Sequence, residues 1–121
     1  MSTIKTFEAA CKKLKLDPKK CLPVVSGMPK HHQEATIAHA KLVIITEALN
    51  DGWKPDWTNG NWDKYYPWFD MSSGSGLSCG GCGDRISSSH VGSRLCFRSA
   101  ELARYAGTQF KKLYQQYFVL K

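Results

Sequence analysis

No apolar run in this sequence approaches the roughly 20 residues that a membrane-crossing helix needs. The opening Met1-Ser-Thr-Ile-Lys5 carries no basic-then-apolar leader. These two absences predict an intracellular chain with no membrane partner. Catalytic signatures are missing as well. There is no Gly-x-Ser-x-Gly elbow, no phosphate-binding loop and no His-Glu-x-x-His. The Ser73-Gly-Ser-Gly76 stretch is not followed by a helical pattern whose N-terminus would seat a phosphate. Acids are scarce, 10 against 17 Lys and Arg, and mostly isolated, which leaves no carboxylate pair for acid–base work. The expectation is a protein that is not an enzyme.

Cysteine is present in an odd number, five, so a fully paired secreted scaffold is excluded and reduced thiols are expected. A chain of 121 residues is one domain's worth, and 42% apolar with 22% charged residues is ordinary globular composition. It can bury enough apolar surface to fold without covalent staples.

The net charge of +7 is unevenly spread: the basic excess sits in residues 1–50 and 99–121, and residues 51–98 balance. Aromatics do the opposite. Trp53, Trp57, Trp62, Tyr65, Tyr66, Trp68 and Phe69 crowd into the neutral middle.

Periodicity predicts a short helix over 6–15, capped by Thr6, with Phe7, Ala10, Cys11 and Leu14 on one face. Asp17-Pro18 closes it, and Leu22 to Pro29 reads as a linker. A longer helix is predicted from Pro29 to Asn50, its wide stripe of Ala35, Ala38, Leu42, Ile45 and Leu49 implying packing on two sides. Asn50-Asp51-Gly52 is its stop. Lys64 to Phe69 has strand composition, with Pro67 restricting it to an edge or a bulge. Cys79-Gly-Gly-Cys82-Gly reads as turn material, and the alternation from Ser93 to Arg98 as a half-buried strand. Ser99 caps a final helix along Leu102, Ala106, Phe110, Leu113 and Tyr117. The predicted fold is one α+β domain over 1–121. It has two N-terminal helices in 1–52, a small antiparallel sheet from the aromatic and Gly-rich 53–98, and one C-terminal helix over 99–118.

The string Trp62-Asp-Lys-Tyr-Tyr-Pro-Trp-Phe69, followed after a Gly/Ser-rich gap by Gly92-Ser-Arg-Leu-Cys-Phe-Arg-Ser99-Ala-Glu-Leu-Ala-Arg-Tyr-Ala-Gly-Thr-Gln-Phe110, resembles a family of small proteins of phages and prophages from gut Bacteroides-type bacteria. The front, Thr6-Phe-Glu-Ala-Ala-Cys11 through Glu47-Ala-Leu-Asn-Asp-Gly-Trp53-Lys-Pro-Asp-Trp57, is similar too, so the resemblance covers nearly the whole chain. It implies a source and no activity. The setting it implies is the cytoplasm of the bacterial host, or the virion.

Three binding readings follow. Trp and Tyr concentrate at protein interfaces, so Trp53, Trp57, Trp62, Tyr65 and Trp68 are candidate anchors for a phage or host protein, or for self-association. Alternatively, Lys12, Lys13, Lys19, Lys20, Lys111 and Lys112 offer positive charge to nucleic-acid phosphates. As a third reading, Cys79, Cys82, His90 and Cys96 form a Cys3His set that could hold tetrahedral zinc, although their spacing fits no standard knuckle. His31, His32 and His39 read as the polar face of the long helix, since metal-binding helices favour His at i and i+4.

Overall fold

The computed structural model describes residues 4–58, 64–70, 78–85 and 92–120, with the backbone alone for Trp68, Asp70 and 78–85. Four helices dominate it: α1 Phe7–Lys13, α2 Lys30–Asn50, α3 Ala100–Gln109 and α4 Lys111–Phe118. The only strands among the described residues pair as an antiparallel ribbon, β1 Lys64–Asp70 and β2 Ser78–Arg85. The α+β expectation, with a sheet built from 53–98, is therefore corrected: the molecule is mostly helical, and two short strands do not make a layer.

Local chemistry sets the helix ends. The Thr6 hydroxyl accepts the Ala9 N–H at 3.1 Å and Glu8 lies in the first turn. Lys15, with φ of 60°, turns the chain out of α1. α2 has Pro29 at its N-cap and finishes with Asp51 and Gly52 both at positive φ, 51° and 87°. Neither end of α2 has a charge of its own to offset the helix dipole, and the last turn contains no basic residue. Cations from elsewhere supply it. Lys13 Nζ donates to the Ala48 carbonyl at 2.8 Å, and the Arg98 guanidinium donates to the Asn50 carbonyl at 3.2 Å.

α2 is sandwiched between α1 and α4, which is why its apolar stripe is wide, and the ribbon lies on α3. One core joins them through Phe7, Cys11, Leu42, Ile45, Phe69, Leu95, Phe97, Leu102, Phe110 and Tyr114. Phe69 meets Tyr114 with ring centroids 5.0 Å apart and Phe118 edge-on at 5.6 Å.

Three further expectations are corrected. The single helix over 99–118 is two helices, interrupted at Phe110, whose φ and ψ of −110° and 25° leave the helical region. The buried Gly107 and the exposed Thr108 just before it are both weak helix formers, and Phe110 and Tyr114 beyond them enter the core. Cys79-Gly-Gly-Cys82 is not a turn but part of β2, with Cys79 opposite Phe69 and Cys82 opposite Pro67. The pairing shifts register between Trp68 and Phe69, where Gly-rich β2 accommodates a bulge. Lastly, Ser93–Arg98 is no strand. Leu95, Cys96 and Phe97 are all buried in a bend, and only Phe97 pairs, through one bridge to Tyr65.

Candidate binding groove

The groove lies at the C-terminal end of α2. Its floor comes from the helix itself, where Val43, Thr46, Glu47 and Asn50 succeed one another on neighbouring turns. The αL turn at Asp51-Gly52 then sends the chain sideways, so that Trp53 and Pro55 form one wall. Gly92, Ser93, Arg94 and Lys13 line the groove as well. The cavity has a volume of about 1010 Å³, room for several side chains of a partner.

Asn50 holds the 96–98 bend that continues from residues 92–94. It is buried, its Nδ2 donates to the Cys96 carbonyl at 2.9 Å, and its Oδ1 accepts the Arg98 N–H at 3.2 Å. A side-chain amide has donor and acceptor in one plane and so satisfies two backbone groups that no strand partner reaches. The Trp57 indole N–H donates to the Ser93 hydroxyl, which fixes the 92–94 wall from outside. Thr46, also buried, lines the floor, and its hydroxyl has no hydrogen-bond partner among the described residues.

Charge around the mouth is mixed. Lys13 pairs with Asp51 at 3.2 Å, so its charge is largely compensated. Lys54 and Arg94 are exposed cations and Glu47 is an exposed acid.

Of the five expected aromatic anchors, Trp53, Trp57 and Tyr65 are half-buried. Trp53 lines the groove, and Trp57 meets Ser93 and Lys64, whose Nζ sits 5.1 Å from the centre of the indole. Trp62 and the side chain of Trp68 lie outside the described residues. The six lysines of the nucleic-acid reading are all exposed. They do not gather as one set: Lys13 is spent on α2, while Lys111 and Lys112 open α4 near Lys5, whose carbonyl accepts from Gln109 Nε2 at 2.9 Å.

Of the zinc set, His90 and the side chains of Cys79 and Cys82 lie outside the described residues. Cys96 is buried, with its thiol 3.6 Å from the Ser93 carbonyl. Burial pushes the Cys96 thiol up from 9.0 to about 11, with a backbone hydrogen bond and Lys64 pulling the other way. Among the described residues, no three His, Cys, Asp or Glu side chains converge as a metal site.

The sequence reading missed Asn50, Thr46 and Lys64. Asn50 was legible only as a helix stop. Lys64 is fully buried, which strand alternation beside two tyrosines gives no means of anticipating.

The raised Cys96 thiol carries a pH prediction. Below pH 9.0 both folded and unfolded chains keep this proton. Between 9.0 and about 11 the unfolded chain releases it first, so stability falls with rising pH. The expected loss is on the order of 1 kcal/mol per pH unit across that window. Denaturant titrations of the reduced protein from pH 8 to pH 11 check it. The slope must become shallower in Cys96→Ala, with the remainder coming from Cys11, whose thiol is held up in the same way, and an unchanged slope in that variant refutes the assignment.

Among the described residues no helix is long and apolar enough to cross a membrane. Comparison with family models, with curated proteins and with solved structures finds no match to this chain.

Proposed function

We propose that this chain is a non-enzymatic accessory protein of phage or prophage origin that acts by protein–protein interaction in the bacterial host or on the virion. The groove at the end of α2 takes an extended segment of a partner protein. Trp53 is the anchor. The observation that carries this reading is the placement of a half-buried indole along a cavity of about 1010 Å³, beside residues 92–94 that Trp57 bonds at Ser93 and Asn50 supports through the 96–98 bend. An aromatic side chain lining a pocket is the kind of residue that dominates binding energy at an interface. The exposed Lys54 and Arg94 at the mouth favour a segment with acidic residues flanking an apolar centre.

The test uses a random peptide library panned against the immobilised protein. Enriched peptides are expected to share an apolar centre with acidic flanks and to change the tryptophan emission of the protein. Trp53→Ala should weaken them by about 30-fold or more, as expected for an anchor worth at least 2 kcal/mol, with the unfolding midpoint little changed. Peptides that bind Trp53→Ala as they bind the parent, or a library that yields none, defeat the reading. The nucleic-acid alternative draws on the exposed Lys111 and Lys112 at the start of α4. DNA binding that collapses between low and moderate salt, and that is lost on charge reversal at Lys111 and Lys112, would move the function there.

A further inference from the structure

Cys11 and Cys21 stand with their sulfur atoms 3.8 Å apart. The proximity is built by the backbone. Cys11 lies in α1, and its carbonyl accepts the Leu16 N–H at 2.8 Å as the chain leaves the helix. Asp17 then folds the chain back. Its carboxylate accepts the Lys19 N–H at 2.9 Å, and its carbonyl accepts from Lys20 and Cys21 at 3.0 and 3.1 Å. Both cysteines therefore hang from hydrogen-bonded frames on either side of a ten-residue separation. Cys11 is buried in the core, and Cys21 packs against that core while keeping partial exposure.

We propose that Cys11 and Cys21 form a covalent modification site, closed as a disulfide when the chain meets a small-molecule disulfide of the glutathione class. The partly exposed Cys21 is the entry point. Its thiolate attacks the small disulfide, forming a mixed disulfide and expelling one small thiolate. The Cys11 sulfur, once deprotonated, then attacks the Cys21 sulfur and expels the second. The two protons lost by the cysteines go to the two leaving thiolates, so the chain loses two hydrogens and the small disulfide is reduced to two thiols. Burial, reinforced by the neighbouring Cys21, holds the Cys11 thiol up at about 11, which is why Cys11 acts second and only on a sulfur already beside it. The sulfurs must close from 3.8 Å to about 2.05 Å. The product fastens the segment carrying Lys19 and Lys20 to α1.

The experiment treats the folded, reduced protein with excess oxidised glutathione at mildly alkaline pH and maps the tryptic peptides. The expected product links peptide 6–12 to peptide 21–30, two hydrogens below the reduced mass, both in the parent and in the double variant Cys79→Ser/Cys82→Ser. Its unfolding midpoint should rise by about 5 °C or more. In denaturant the equilibrium constant for closure against glutathione should fall by about tenfold or more, because the fold supplies the effective concentration. A glutathione adduct that persists on Cys21, no reaction at either cysteine, or equal closure in denaturant each overturns the proposal.

Discussion

Replacing Asn50 by alanine is expected to lower the unfolding free energy by about 2–4 kcal/mol, a large share of the stability of a domain this size. The amide makes two hydrogen bonds to main-chain groups of the 96–98 bend, 2.9 Å to the Cys96 carbonyl and 3.2 Å from the Arg98 N–H. Alanine removes the partner of both groups, and the Cys96 carbonyl is the deeper of the two, since Asn50 is only 4% exposed and Cys96 1%. The orphaned carbonyl then costs its desolvation penalty, and the part-buried Arg98 N–H a share of its own. Arg98→Ala is the contrasting change. Arg98 is exposed, and its guanidinium bond to the Asn50 carbonyl is replaceable by solvent, so the loss should stay near 1 kcal/mol. Equilibrium denaturation of both variants checks the pair, and an Asn50→Ala cost no larger than that of Arg98→Ala removes the clamp from the argument. The groove is coupled to the same residue, because the 92–94 wall hangs from the bend that Asn50 holds. Peptides selected on the parent should therefore bind Asn50→Ala less well even where it remains folded.

What the sequence disclosed follows from how local each signal is. The Thr6 and Ser99 caps, the Asn50-Asp51-Gly52 stop and the stripe of α2 are decided within a turn or two of chain, and the structure keeps each of them. The strands were a different matter. β2 is built from Ser78-Cys-Gly-Gly-Cys-Gly-Asp-Arg85, a composition that favours turns, and it is extended because β1 supplies the partner hydrogen bonds. Conversely, the alternation of Ser93–Arg98 resembles a strand, yet those residues wedge into a bend where three neighbours in a row are buried. Composition in 53–98 thus pointed to a sheet where the chain builds a ribbon and an irregular wall. The groove was half legible. Trp53 stood out by type, but Asn50 and Thr46 gain their meaning only when residues 92–98 arrive from more than forty positions away. The Cys11–Cys21 contact depends in the same way on a turn at Asp17 whose hydrogen bonds the sequence does not spell out.

Phe97→Ala is expected to cost about 3–5 kcal/mol, the range for removing a buried phenylalanine. Phe97 has no exposed surface, and it belongs to the cluster that joins α2, α3, α4 and the ribbon. Its backbone is engaged separately. It exchanges two hydrogen bonds with Tyr65, 3.0 Å from the Tyr65 N–H to the Phe97 carbonyl and 2.6 Å from the Phe97 N–H to the Tyr65 carbonyl. Alanine leaves those bonds available, so the loss measures the side chain's transfer and cavity terms rather than the bridge. Phe97→Leu keeps most of the volume and should cost less than about 2 kcal/mol. Leu120, 74% exposed, is the control at which alanine should change stability by no more than about 0.5 kcal/mol. Ordering the three variants by chemical denaturation tests where the core lies. If Phe97→Ala were as mild as Leu120→Ala, the 95–97 bend would not be seated in the core, and the groove wall that continues from it would lose its support.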